Sequence, residues 1–174
     1  MFRIGRDNII INFNQNDIQK NDIIVVSYGE IDCRCQIQRQ INLGGNEDDI
    51  IRNLVDRYIT TIKKNTTDLG LDVKIIIVGV IPPTKQTDYE SLHGPITHEY
   101  PFVGTDEERV RYTNKVNGLL KKMAIDNNFI YFDDPYRYYT RPDGTLKHEL
   151  SDTIVHIRDN SHFLQCFIDL CKNI

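Results

Sequence analysis

The sequence predicts an α/β domain in which helices cover both faces of a mainly parallel sheet. Three short apolar runs predict strands: "IIVVSY" at 23–28, "KIIIVGVI" at 74–81 and "FIYF" at 129–132, with a weaker fourth candidate, "NIIINF", at 8–13. The second run is apolar and mostly β-branched, which is typical of a strand covered by helices on both faces. Because helical patterns separate these runs, the alternation indicates a three-layer fold.

The composition fits one globular domain that spans residues 1–174. Hydrophobic residues make up 40% of the 174 and charged residues 26%, which is enough apolar material for a core. The net charge is −4 and the basic residues are scattered, so we expect no nucleic-acid partner. No apolar run approaches the ~18 residues that a membrane span needs, so we expect no membrane partner either.

Three helices are predicted between and after the strands. The first covers 47–64, where an apolar stripe recurs with a 3.6-residue period at Ile50, Ile51, Leu54, Val55, Tyr58, Ile59 and Ile62. The second starts at Thr105, which stands at capping-box spacing from Glu108. The last helix starts near Asn160 or Ser161.

The cysteines predict a reducing compartment, and we expect a cytoplasmic protein. Cys33 and Cys35 are too close for an ordinary disulfide, no Cys-x-x-Cys pair occurs, and no signal peptide is recognised. The cysteine and histidine spacing fits no standard zinc site. Dinucleotide-binding and P-loop motifs are absent from the sequence. We therefore predict neither a metal nor a cofactor.

Three segments follow the predicted strands, and sites in parallel α/β sheets gather at the carboxyl ends of the strands. The segments are "GEIDCR" after Tyr28, a long connection from 82 to 104, and "DDPYRYYTRPDG" after Phe132. The long connection carries ring side chains that either line a sugar-binding cleft or hold the connection to the body. These side chains are Tyr89, His93, His98 and Tyr100.

Several motifs together resemble the SGNH, or GDSL-like, hydrolases, over most of the chain from about Asp22 to the end. They are "DIIVVSYGEIDCR", "VKIIIVGVIPP", "RVRYTNKVNGLL", "YFDDPY" and "LSDTIVHI". The resemblance implies a flavodoxin-like sheet and esterase activity on O-acyl groups of glycans or similar esters. It also implies a serine nucleophile, a histidine base oriented by an aspartate, and an oxyanion hole.

The resemblance assigns roles to two segments of this chain. The segment "GEIDCR" stands in the place of the family's G-x-N-D block, which implies substrate binding by Gly29, Glu30, Asp32 and Arg34. The segment around His156 resembles the final D-x-x-H block, which implies that His156 is the catalytic base. Asp152 is then the orienting carboxylate, although it lies four residues before the histidine instead of three.

The sequence also departs from the family pattern. No "GDS" nucleophile block is found, and Ile31 stands where the family has an oxyanion-binding asparagine. We expect the chain to be a fragment, to begin at an internal start, or to be a degenerate relative. Each of these alternatives predicts a sheet without the family's first strand. Residues 8–13 are a partial substitute for that strand; if they do not replace it, the exposed sheet edges predict marginal stability or self-association.

Each candidate residue has a structural alternative. Glu30, Asp32 and Arg34 are expected on one face of an extended segment, where they either form ion pairs or bind substrate. Asp152 is either the partner of His156 or an ordinary turn residue. His156 itself is either the base or a core-edge histidine bonded to a backbone carbonyl.

Other residues compete for the catalytic roles. Asp159 and His162 form a rival pair at D-x-x-H spacing, although Asp159 or its neighbour also suits the cap of the last helix. Ser27 and Cys33 are alternative nucleophiles, and both are expected to be buried.

The sequence leaves three functions open. The first is an SGNH-like esterase, truncated or degenerate, whose partner is an acylated glycan or a small ester. The second is a non-catalytic glycan-binding or vestigial domain. The third is an unrelated small α/β domain whose charge cluster is structural.

Overall fold

A computed structural model describes residues 1, 18–97 and 99–174. The strand predicted at 8–13 and the side chain of His98 lie outside these residues. The described strands are β1 (Ile23–Ser27), β2 (Lys74–Val78) and β3 (Ile130–Phe132). They form a parallel sheet of order β1-β2-β3, in which Val25 pairs with Ile76 and Ile76 with Ile130.

Six α-helices connect and follow these strands. They are α1 (Ile37–Asn42), α2 (Glu47–Asn65), α3 (Gln86–His93), α4 (Asp106–Asp126), α5 (Tyr136–Tyr139) and α6 (Ser161–Cys171). A π-helical turn, Asp32–Gln36, leads into α1, and 3-10 turns cover Thr67–Leu69 and His148–Leu150.

The three predicted helices are confirmed, because their signals are local. Asn46 caps α2 by accepting the backbone N–H groups of Asp48 and Asp49. The capping box at the start of α4 is complete, with both hydrogen bonds between Thr105 and Glu108 present. Six of the seven stripe residues of α2 are buried, namely Ile51, Leu54, Val55, Tyr58, Ile59 and Ile62.

The sheet has a core cluster on each face. On one face, Val26, Ile75 and Ile77 pack with the apolar sides of α2 and α4. On the other face, Ile76, Val78 and Phe132 pack with residues of α5 and α6. The prediction of a mixed α/β fold with a parallel sheet between helices is confirmed.

The segment after β1 is not extended as predicted. Gly29 has a φ of +126°, which ends the strand, and the chain is helical from Glu30 onward. A Cβ at Gly29 would lie 2.6 Å from Cγ2 of Val80. The backbone at residue 29 therefore comes so close to the segment after β2 that only glycine fits there. The helical turn places Glu30 and Arg34 on one side, four residues apart, and turns Asp32 away from them.

The end of β2 and the long connection also differ from the prediction. Beyond Val78, the side-chain amide of Asn117 bonds both backbone groups of Val80, donating to its carbonyl at 2.9 Å and accepting its N–H at 2.7 Å. A side chain of α4 therefore replaces a neighbouring strand at this point. The connection itself contains α3, which has no buried residue and so lacks the apolar stripe that predicts a helix.

Candidate functional site

The candidate site residues lie in two groups, one in the turn after β1 and one in the loop before α6. Glu30 and Arg34 form the first part of the site. The guanidinium of Arg34 donates from Nε to Oε1 of Glu30 at 2.6 Å and from Nη2 to Oε2 at 3.1 Å. Its Nη1 donates to the carbonyl oxygen of Tyr100. This bidentate ion pair fixes the geometry of both side chains, and the bond to Tyr100 connects the turn to the 99–104 segment.

Asp32 belongs to a separate contact. Its carboxylate accepts a hydrogen bond from the α-amino group of Met1 at 2.9 Å, and the side chains of both residues are buried. The prediction that the three charges share one face is therefore wrong, because a helical turn replaces the extended segment.

Little open space exists beside the pair of Glu30 and Arg34. Arg34 is 7% exposed, and its guanidinium carbon lies 5.8 Å from the ring centroid of Phe102. In the adjoining cavity, the volume that the centre of a water molecule can occupy is only about 10 Å³. The structural alternative, ion pairing that holds a turn, describes this geometry. The substrate-binding role of Gly29, Glu30, Asp32 and Arg34 stays a prediction.

Asp152 and His156 form the second part of the site, and the structure brings them together. Nδ1 of His156 lies 2.9 Å from Oδ2 of Asp152. The other carboxylate oxygen accepts the backbone N–H of Ile154 at 2.8 Å and that of His156 at 3.0 Å. Asp152 is thus a turn residue and the partner of the imidazole at the same time.

The hydrogen bonds to Asp152 also set its charge state. Partial burial acts to raise the pKa of Asp152, but the donors from His156 and Ile154 outweigh burial, and the pKa lies below its usual value. The carboxylate is therefore ionised at neutral pH and accepts the proton on Nδ1. This bond assigns the proton of a neutral imidazole to Nδ1 and leaves Nε2 as an acceptor.

The loop that carries this pair is closed on itself. Ser151 and Ile157 form an antiparallel bridge, and the N–H of Asp152 donates to the carbonyl of His156 at 2.9 Å. Val155 is buried and anchors the loop, whereas the side chain of His156 is 70% exposed. The core-edge alternative for His156 is therefore wrong.

One residue of this loop has an unusual backbone. Thr153 has a φ of +67°, a region that β-branched residues rarely adopt. Such a conformation persists where surrounding contacts hold it. His93 of α3 supplies such contacts, since its Nε2 lies 3.0 Å from the carbonyl oxygen of Thr153 and 3.2 Å from its hydroxyl.

Helix α3 joins the two parts of the site. The ring of His93 lies 5.0 Å from that of Tyr89, and Tyr89 lies 5.4 Å from Phe102, the ring that faces Arg34. The chain of contacts thus runs from Arg34 through α3 to the loop of His156. None of the four cavities described for residues 1, 18–97 and 99–174 is lined by both Arg34 and His156.

The rival catalytic pair is not formed. Asp159 instead accepts hydrogen bonds from the backbone N–H of Ser161 at 3.2 Å and from its hydroxyl at 2.6 Å, at the start of α6. The ring of His162 packs on Tyr138 at 4.4 Å, and its Nε2 lies 3.7 Å from the sulfur of Cys166.

The two alternative nucleophiles differ in exposure. Ser27 is exposed, so the expectation of burial was wrong, because the face of β1 that carries Ile23, Val25 and Ser27 is only thinly covered. Cys33 is buried as expected, and burial raises the pKa of its thiol well above the ordinary value, with the charge of Asp32 adding to the rise. A protonated, buried thiol is a poor nucleophile.

A larger cleft of about 670 Å³ opens beyond the ends of β2 and β3, against α4. Its polar lining includes Asn117, Lys121, Asp133, Asp134, Arg137 and Arg141. Arg141 also pairs with Asp88 of α3 at 2.6 Å. The sequence marked this cleft only through the polar segment after Phe132, because its wall on α4 comes from a distant part of the chain.

No protein-family model matches this sequence, and no curated protein is significantly similar to it. Within the described residues, no helix combines the length and the apolar composition needed to cross a bilayer.

Proposed function

We propose that this chain is an SGNH-like esterase domain that acts on O-acyl groups of glycans or similar small esters. In this proposal His156 is the general base and Asp152 orients it. The observation that carries the proposal is the pair itself. The carboxylate holds Nδ1 at 2.9 Å while the ring is 70% exposed on the surface. An oriented imidazole with a free nitrogen is the arrangement that acyl transfer requires of its base.

The proposed reaction uses Nε2 of His156. As a nucleophilic hydroxyl attacks the ester carbonyl, Nε2 takes the hydroxyl proton, and it later returns the proton to the departing alkoxide. Asp152 stabilises the imidazolium that forms in between. Within the described residues Nε2 has no hydrogen-bond partner. Residues 2–17 and 98 carry no serine, threonine or tyrosine, so in this proposal the attacking hydroxyl is that of a water molecule.

The cleft of about 670 Å³ supports a sugar-sized substrate. Carboxylates, amides and guanidinium groups in its lining can accept and donate hydrogen bonds to sugar hydroxyls. Arg141 connects the cleft to α3 through Asp88, and α3 also contacts the loop of His156 through His93. The same helix therefore contacts one residue of the proposed substrate cleft and supports the loop of the proposed base.

Hydrolysis of p-nitrophenyl acetate tests the proposal. We expect the wild-type rate to fall about a hundredfold in His156→Ala, because general-base catalysis typically contributes that much or more. Asp152→Asn should lower the rate as well, since the amide favours the wrong tautomer. His148→Ala is the matched control and should keep the wild-type rate. Equal rates in wild type and His156→Ala contradict the esterase proposal.

A second candidate is a non-catalytic glycan-binding domain. The observation that favours it is the polar cleft together with a histidine that has no nucleophile bonded to it among the described residues. A glycan array separates the two functions. Saturable glycan binding that Arg137→Ala abolishes, without any ester hydrolysis that depends on His156, would favour the binding domain.

A further inference from the structure

A small cavity lies in the protein interior beside the pair of Glu30 and Arg34. Residues from α4, from the segment after β2 and from the turn after β1 line it. The space open to the centre of a water molecule is about 10 Å³. That volume suffices for one water molecule and excludes a larger ligand.

Three polar atoms on residues that line this cavity are buried without a hydrogen-bond partner among the described residues. They are Nε of Arg109, Oγ1 of Thr84 and Oγ1 of Thr113. The exposed fractions of the three residues are 0%, 7% and 4%. Leaving a buried polar group unpaired is destabilising, and three such groups around one small cavity are unusual in a folded protein.

The surrounding contacts do not satisfy these atoms. Arg109 uses Nη1 to donate to the carbonyl of Gly104 at 2.6 Å and Nη2 to bind Asp106, while its guanidinium packs on the ring of Phe102 at 4.9 Å. Nε–H is therefore left over as a donor. The hydroxyl of Thr113 lies beside the thiol of Cys33, which is a weak acceptor, without forming a hydrogen bond of normal geometry.

We propose that this cavity binds one ordered water molecule, held by Arg109, Thr84 and Thr113. The water oxygen accepts from Nε–H of Arg109, which can only donate. The threonine hydroxyls accept from or donate to the water, because a hydroxyl can do both. Three protein partners are the number that a buried water typically has.

The proposed water has a structural consequence. Arg109 and Thr113 belong to α4, whereas Thr84 follows β2, so the water ties the helix to the segment that leaves the sheet. Arg34 and Glu30 line the same cavity. The proposed water thus lies next to the ion pair of Glu30 and Arg34, on the side that faces the protein interior.

Magnetic resonance detects the water directly. We expect cross-peaks between Nε–H of Arg109 and the water resonance, with opposite signs in laboratory-frame and rotating-frame Overhauser spectra. Opposite signs identify a long-lived bound water, whereas chemical exchange gives equal signs. Loss of the cross-peaks in Thr84→Val/Thr113→Val, with the fold retained, assigns them to this cavity. Cross-peaks missing from the wild-type protein would overturn the proposal.

A double-mutant cycle tests the sharing of the water. Thr84→Val and Thr113→Val should each raise the unfolding equilibrium constant about tenfold, because each removes a partner of the water. The double variant should raise the unfolding equilibrium constant by less than the product of the two single increases, since both substitutions disrupt the same water. The control is Thr61→Val, which removes a hydroxyl bonded to the Arg57 carbonyl at 2.8 Å and should combine additively with Thr113→Val. Neutral or stabilising single substitutions would show a dry cavity and contradict the water site.

Discussion

The pair of Glu30 and Arg34 and the pair of Asp152 and His156 are built on opposite principles. In both pairs the two residues are four positions apart, and a carboxylate binds a nitrogen-containing side chain. In the first pair the side chains are 23% and 8% exposed, and the guanidinium is committed to Glu30 and to the carbonyl of Tyr100. In the second pair the histidine is 70% exposed, and among the described residues only one of its ring nitrogens is hydrogen-bonded.

This difference teaches that the density of charges in a sequence does not identify the reactive group. A buried, fully bonded ion pair is costly to disturb and therefore holds structure in place. An exposed imidazole whose second nitrogen is open contributes little to stability and is available for proton transfer. Three substitutions or conditions test this contrast.

The largest expected effect is the loss of stability in Arg34→Ala. Removing the guanidinium leaves the carboxylate of Glu30 mostly buried without its charged partner, which we expect to cost about 3 kcal/mol of unfolding free energy. Urea denaturation measures the change. Arg52→Ala is the control, because the pair of Arg52 with Asp49 is exposed and its loss should change stability by less than about 0.5 kcal/mol. A similar small change in Arg34→Ala would show that the first pair is no more structural than a surface contact.

A smaller effect is expected in His93→Ala. Losing the contact to Thr153 should lower the stability of the loop by about 1 kcal/mol, because the positive φ of Thr153 is then less well supported. Faster hydrogen exchange at the amides of Ile154 and His156 measures this loosening. Nitrogen spectra of the His156 ring report whether Nδ1 still binds Asp152.

His93→Gln provides the matched rescue, since the glutamine amide can still donate to the carbonyl of Thr153. We expect its exchange rates to lie between those of the wild type and of His93→Ala. If His93→Ala leaves both the exchange rates and the ring spectra unchanged, α3 does not position the pair of Asp152 and His156. These readouts do not depend on any ester hydrolysis.

The smallest effect concerns pH. The pKa of Asp152 lies below its unfolded value of 3.8, so its hydrogen bonds stabilise the folded loop above that pH. This contribution is lost as the pH falls through the lowered folded pKa, and we expect it to stay below about 0.5 kcal/mol because the pair lies at the surface, where solvent screens it. Protection factors of the Ile154 amide, which are corrected for the intrinsic pH dependence of exchange, measure the loss from pH 5 down to pH 2. Asp152→Asn should abolish the pH dependence, and its persistence in that variant would assign it to another group.

Much of the fold could be predicted from local patterns. The stripe from Ile51 to Ile62 and the capping box at Thr105 identified α2 and α4, and uninterrupted apolar runs identified the three strands. Each of these signals depends on residues that are only a few positions apart in the sequence. Helix α3 was missed because it buries no residue, and so its pattern is not apolar.

The candidate site could be predicted only in part. For Asp152 and His156 the sequence left two alternatives open, a catalytic-type pair or an ordinary turn, and the structure shows both contacts. The geometry of Glu30, Asp32 and Arg34 was not predictable, since the glycine before them turns the chain into a helix where it meets Val80 of a different segment. The contribution of His93 was left open, because it acts on a residue sixty positions away.

The sequence by itself determined the alternation of strands and helices and the capping box at the start of α4. Each of these depends on residues that are close in the chain. The tertiary structure alone decided that Arg34 is enclosed between Glu30, Tyr100 and Phe102 while His156 faces the solvent. The physical reason is that burial, and with it the strength of an ion pair, depends on segments that approach from elsewhere in the sequence.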